Sequence, residues 1–131
     1  MHIHPLITKS ADLAALVDRL AKHPFVAVDT EFMRENTYWP DLCLIQIASP
    51  EEAAAIDPKA DIDLGPLLSL LVDNPDVLKV FHAGGQDLEI IYNLTGKTPL
   101  PLFDTQIAAM ALGQGEQIGY SNLVDLSLIH I

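Results

Sequence analysis

Cationic side chains are scarce in this 131-residue chain, where seven Lys and Arg face eighteen Asp and Glu for a net charge of −11. So acidic a protein cannot hold a polyanion through a broad basic surface; a few local cations or bound metal ions would have to do that work. Cysteine is nearly absent. The single Cys43 rules out an internal disulfide and points to a reducing cytoplasm, and its place inside an apolar run reads as a core thiol. Long apolar runs are also missing. Half the residues are hydrophobic, yet no stretch approaches the ~20 residues that cross a bilayer, and the short polar start lacks signal-peptide form. No repeat, low-complexity tract or linker divides the chain, so one domain with a core of useful size is expected.

Hydrophobic spacing gives the elements. Leu13, Leu16, Val17 and Leu20 form one helical face over residues 11–22, with Ser10 as N-cap and His23-Pro24 as the stop. Phe25 to Val28 is a continuous apolar run, of the kind found in a strand buried on both faces, and it leads into Asp29-Thr30-Glu31. Leu42 to Ala48 and Ala53 to Ile56 read as two further strands, spaced closely enough for an antiparallel meander. A helix over Leu64 to Val72 tolerates Pro66 in its first turn, and Val77 to His82 is a fourth strand. Gly84-Gly85 turns into a helix carrying Asp87 and closed by Thr95-Gly96. Leu100 to Phe103 is a brief fifth strand, and Asp104 caps a helix over Ile107 to Leu112. Three strands followed by alternating helices and strands predict a mixed α/β sheet.

The chemistry concentrates around the first strand. Side chains two apart on a strand leave the same face, so Asp29 and Glu31 project together, roughly 6 to 7 Å apart along the backbone. Such a pair is either a solvated strand end or a set of hard oxygen ligands for Mg²⁺ or Mn²⁺, and nothing local decides between the two. Asp87, in the first turn of its helix, is placed where backbone N–H groups favour an ionised carboxylate, which suits an ordinary helix start as well as a metal ligand. Arg34, Lys79 and Lys97 are cations near these blocks that could meet phosphate; the two lysines read more simply as solvated surface charges. Gln46, inside an apolar strand, needs a hydrogen-bond partner, and a neighbouring loop is the expected one. Tyr38-Trp39 before Pro40 reads as aromatics packed on the sheet rather than a base-stacking platform.

Two blocks taken together are more specific. VDTEFMRENTYWPDLCLIQIAS resembles the first exonuclease motif of the ribonuclease D family, in the DEDD superfamily of 3′-5′ exonucleases, and KVFHAGGQDLEIIYNLTGKTPLPLFDTQIAA resembles the second. The resemblance covers most of residues 25–125. It implies a ribonuclease H-like α/β fold, a mixed five-stranded sheet flanked by helices. It also implies Asp29, Glu31 and Asp87 as catalytic metal ligands for two divalent ions (Mg²⁺ or Mn²⁺) that hydrolyse phosphodiester bonds from RNA 3′ ends, as in transfer RNA maturation. On the family pattern Asp29 bridges both ions, Glu31 holds the one that carries the nucleophile, and Asp87 serves the leaving-group side. Thr30, Phe32 and His82 would hold the terminal nucleotide.

The family's third motif, with a tyrosine and a fourth aspartate, is not recognisable; Tyr120 and Asp125 have the context of the segment before it. Residues 1–125 therefore read as part of an exonuclease domain that is inactive alone. Residues 126–131, Leu-Ser-Leu-Ile-His-Ile, resemble a translated sequencing-adapter end and read as a non-native tail. Rival readings are a non-catalytic ribonuclease H-like binding module, a DNA 3′-5′ exonuclease, and a receiver-like domain phosphorylated on an aspartate. The last requires βα units from the start, which the meander opposes. Oligomeric state is not readable.

Overall fold

The computed structural model describes residues 1–34, 40–113 and 119. In chain order its elements are β1 (His2–Ile3), α1 (Ser10–Leu20), β2 (Phe25–Met33), β3 (Asp41–Ala48), β4 (Glu52–Ile56), α2 (Gly65–Asp73), β5 (Leu78–Phe81), α3 (Gly85–Thr95), β6 (Leu102–Asp104) and α4 (Thr105–Ala111). The strands form one six-stranded sheet in the order β1-β4-β3-β2-β5-β6. β2, β3 and β4 make the expected antiparallel meander, while β5 lies parallel to β2 and β6 parallel to β5.

The sixth strand is β1, which pairs in parallel with β4 through His2↔Glu52 and Ile3↔Ala53. Two residues carry no readable alternation, so nothing local announces this strand. A buried carboxylate anchors it. Glu52 accepts from Arg19 Nε at 3.1 Å on both oxygens and meets His4 Nε2 at 2.7 Å, joining β1, α1 and β4. The Arg19 hydrogen bonds hold the Glu52 carboxyl below its ordinary range, burial opposing them.

One face of the sheet carries the core. Leu13, Leu16, Val17 and Leu20 of α1 and Leu67, Leu70 and Leu71 of α2 pack on Val26, Val28, Ile45, Ile47 and Ile56, with Ile91 of α3 in the same cluster. Each such side chain, fully buried, contributes about 1.5 to 3 kcal/mol. β2 alternates between this core and the opposite face, where Phe25 and Ala27 are exposed. The expectation of a strand buried on both faces is thus met on one, because among the described residues no helix covers the other.

Local signals account for most boundaries. Pro66 sits in the first turn of α2, and Gly96, at φ 72°, ends α3 with its N–H on the Tyr92 carbonyl. Ser10 is not the cap of α1. Lys9 holds that position, and the Ser10 hydroxyl instead accepts from the Asp63 N–H at 2.8 Å, tying the approach to α2. Cys43 is half-buried, its Sγ 3.3 Å from the Asp41 carbonyl, and is not a core thiol. Lys79 is buried completely, contrary to its reading as a surface cation. Its ammonium donates to the Asn74 carbonyl and, at 3.0 Å, to that of Leu100, and burial pushes its pKa down. No helix among the described residues is long and apolar enough to cross a membrane.

Candidate active site

β2 outruns its parallel partner. Its ladder with β5 covers Phe25, Val26 and Ala27 and then stops, because the chain leaves β5 at Phe81 and turns into α3. On the other side β2 stays paired with β3 through Met33, with a bulge between Glu31 and Phe32. The N–H of Thr30 is thereby left without a strand partner on the β5 side, and Asp87 from the first turn of α3 takes it at 3.1 Å. The Thr30 hydroxyl donates to the same Oδ1. Both bonds fall on one oxygen, which leaves Oδ2 for another partner.

The alternation of β2 then fixes where the other acids point. Thr30 is buried toward α3, and its neighbours Asp29 and Glu31 are exposed on the opposite face. Asp87 is 6% exposed. Its carboxyl is raised above the ordinary range, first by burial and further by the nearby negative charge of Asp29, with the Thr30 hydroxyl pulling the other way. The three acids thus stand near the carboxyl ends of the parallel pair β2 and β5, Asp29 and Glu31 on the open face and Asp87 beside Thr30 on the other.

The remaining site candidates distribute as follows. His82, the residue after β5, is half-buried, with Nδ1 2.8 Å from Thr105 Oγ1. That hydroxyl is 3.3 Å from the Phe81 carbonyl; if it donates there, Nδ1 of His82 is the donor in the first bond. His82, Thr105, Asp29 and Gln46 stand at one side of a trough of about 640 Å³ on the open sheet face, floored by Ala27, Ala48, Ala53, Ala55 and Val80. Phe32 is half-buried just past the bulge.

Gln46 is exposed and lies directly across from Asp29 in the β2–β3 register, so its expected bond to a neighbouring loop gives way to a place beside the acid. The antiparallel register is the signal that could have found it. Arg34 pairs with Glu89 of α3 at 3.2 Å, on the same helix as Asp87. Lys97 pairs with Asp73 at 2.7 Å on the surface, and Lys79 is too deeply buried to meet a phosphate. Tyr38, Trp39, Tyr120, Asp125 and residues 126–131 lie outside the described residues.

Hard oxygen donors suit a divalent ion, and a cation beside Asp87 would offset the burial and the lesser negative charge of Asp29 that raise its carboxyl. Among the described residues no three His, Cys, Asp or Glu side chains converge as a ligand set. Asp29 and Glu31 are exposed and Asp87 keeps Oδ2 outside its bonds to Thr30, so these are the residues that would hold such an ion.

Sheet order, meander and acids at the strand ends define a ribonuclease H-like exonuclease core, and residues 5–128 match the family model described as 3′-5′ exonuclease. The chain belongs to the 3′-5′ exonuclease family. Within it the chain is similar to ribonuclease D. It is 78% identical to ribonuclease D of Sphingobium indicum over 126 residues and 71% identical to that of Zymomonas mobilis, in each case covering 95% of this chain and 32% of the relative. The crystal structure of Escherichia coli RNase D, described as an exoribonuclease involved in structured RNA processing, superposes with a TM-score of 0.87 at 41% identity, over 95% of this chain and 33% of that one. The chain thus spans about a third of the length of these relatives. Brucella melitensis NrnC with bound Mg²⁺ shares the fold, at a TM-score of 0.71 and 24% identity over 100% of this chain and 63% of that one.

Proposed function

We propose that the protein of which this chain carries the first two motifs is a divalent-ion-dependent 3′-5′ exoribonuclease that trims structured RNA, transfer RNA precursors included, in the cytoplasm. The observation that carries the reading is the arrangement at Thr30. Asp29 and Glu31 project from one face of β2, and Asp87 is held to the strand between them by two hydrogen bonds. The likeness to ribonuclease D favours RNA over DNA as the substrate.

In this reading Asp29, Glu31 and Asp87 would hold the ions, and bound ions would supply Lewis-acid activation of a water and charge stabilisation at the leaving 3′ oxygen. The chain's own residues orient and exclude. Thr30 fixes Asp87, so the ligand set is partly built before substrate arrives. His82, steadied by Thr105, and Phe32 flank the acids where a terminal nucleotide would lie. An acidic surface leaves phosphate binding to the ions and to the few cations nearby, Arg34 first among them.

The test is Mn²⁺-dependent shortening of a 3′-tailed RNA by this chain and by a chain extended to the length of the curated relatives, each beside Asp29→Asn. The extended chain should shorten the RNA from its 3′ end, with Asp29→Asn lowering the rate at least about a hundredfold. Unchanged shortening by Asp29→Asn would end the reading, and a folded, RNA-binding but inert extended chain would move the binding-module reading ahead.

A further inference from the structure

Asp104 does more than begin a helix. Its Oδ1 accepts from the Gln106 N–H at 2.9 Å and the Ile107 N–H at 3.4 Å, the expected cap of α4. The same carboxylate reaches across to the β5–α3 turn, where Oδ1 accepts from the Ala83 N–H at 3.0 Å and Oδ2 from the Gly84 N–H at 2.8 Å. One side chain thus closes four backbone donors from two separate segments.

That turn needs holding. Ala83 has φ 52°, in the left-handed region that a residue with a Cβ enters at a cost. Gly84 packs so tightly that a Cβ there would come within 2.7 Å of Phe81 Cβ. Three residues after Gly84, the N-cap of α3, stands Asp87, bonded across to Thr30. The start of α3, and with it the reach of Asp87 to β2, is therefore set by how the chain passes through Ala83 and Gly84. Asp104 is fixed in turn by its place in β6 opposite Phe81, and the adjacent Thr105 takes the His82 ring.

We propose that Asp104 is a positioning residue for Asp87, its carboxylate clamping the β5–α3 turn so that α3 presents Asp87 to Thr30. The proposal deepens the exonuclease reading and rests on it only where activity is measured. The first readout needs no activity. The Thr30 amide proton bonds to Asp87, so its NMR shift in the present chain, read on the alkaline plateau where Asp87 is ionised in every variant and with Asp87→Asn as reference, reports where Asp87 is.

Asp104→Ser keeps an oxygen that can cap α4 but is too short to clamp the turn as well. Asp104→Asn replaces one of the two acceptor oxygens with a donor, and it reads the same effect if the serine variant does not fold. Both should displace the Thr30 amide resonance, whereas the Gln106 and Ile107 amides stay protected from exchange in the serine variant. In the extended chain Asp104→Asn should lower kcat by about 10-fold to 100-fold with KM for RNA unchanged. Adding Ala83→Gly, which adopts φ 52° freely, should restore the Thr30 resonance and most of the rate.

A Thr30 amide that does not move in either variant overturns the proposal, as does failure of Ala83→Gly to restore it, since a simple helix cap would not respond to glycine at 83. If the extended chain shortens no RNA at all, the exonuclease reading fails, and the Thr30 resonance still decides the clamp.

Discussion

On the proposed reading Asp87 would serve a site at the expense of the fold. Burial and the charge of Asp29 hold its carboxyl above the ordinary range, so the native state prefers the protonated form. The stability tied to that preference is complete below the unfolded-chain pKa and is lost as pH rises through the native one. In metal-free buffer the Asp87 contribution should fall as pH rises from the acid side, against the opposite trend of Glu52 and Asp104, whose carboxyls are held low. Asp87→Asn, whose amide oxygen still accepts from Thr30, should flatten that fall. Thermal melts of the two chains should coincide in acid and separate toward neutrality with the variant higher; a variant that melts lower at neutral pH would contradict the assignment. Asp87 itself was legible as a helix-start acid within a motif. Its bond to Thr30 was not, because that depends on β5 stopping at Phe81 while β2 continues, and strand ends in different parts of a chain are not set by local pattern.

At the scale of elements, Lys79 in β5 is the clearest departure from what the sequence suggests. A lysine in LKVF reads as the polar position of an alternating strand, yet it is fully enclosed because the turn at Asn74 and the loop at Leu100 both direct carbonyls at its ammonium. Truncation would leave a cavity and two unpaired carbonyls. Lys79→Ala should cost about 2 to 4 kcal/mol in urea unfolding, whereas a true surface lysine would cost almost nothing. Elements with strong periodicity or clear stops, such as α1, α2 and the meander, were legible to within a residue or two. The sequence places the connection after β2 at Arg34 to Asp41, and the strand accordingly runs to Met33, its acids on the outward face. β1 carries no local signal, because its two residues become a strand only through their partner β4.

For the whole molecule, charge is the governing quantity. At −11 the chain repels itself, and added salt should stabilise it by screening. Mn²⁺ should raise the melting temperature further than NaCl of equal ionic strength, because an ion that binds only the native state adds linkage to screening. That excess should vanish in Asp29→Asn; an excess that survives would place the ion elsewhere. The geometry also separates two timescales within one strand. Up to Ala27, β2 is held on both edges by neighbouring strands, whose hydrogen bonds open together or not at all. At Thr30 the β5-side edge is held by one carboxylate on a side chain, which can swing away alone. Amide exchange should therefore run on two clocks, slow at Ala27 and faster at Thr30. The stretch that bears the acids can then adjust to a ligand without waiting for the sheet to open.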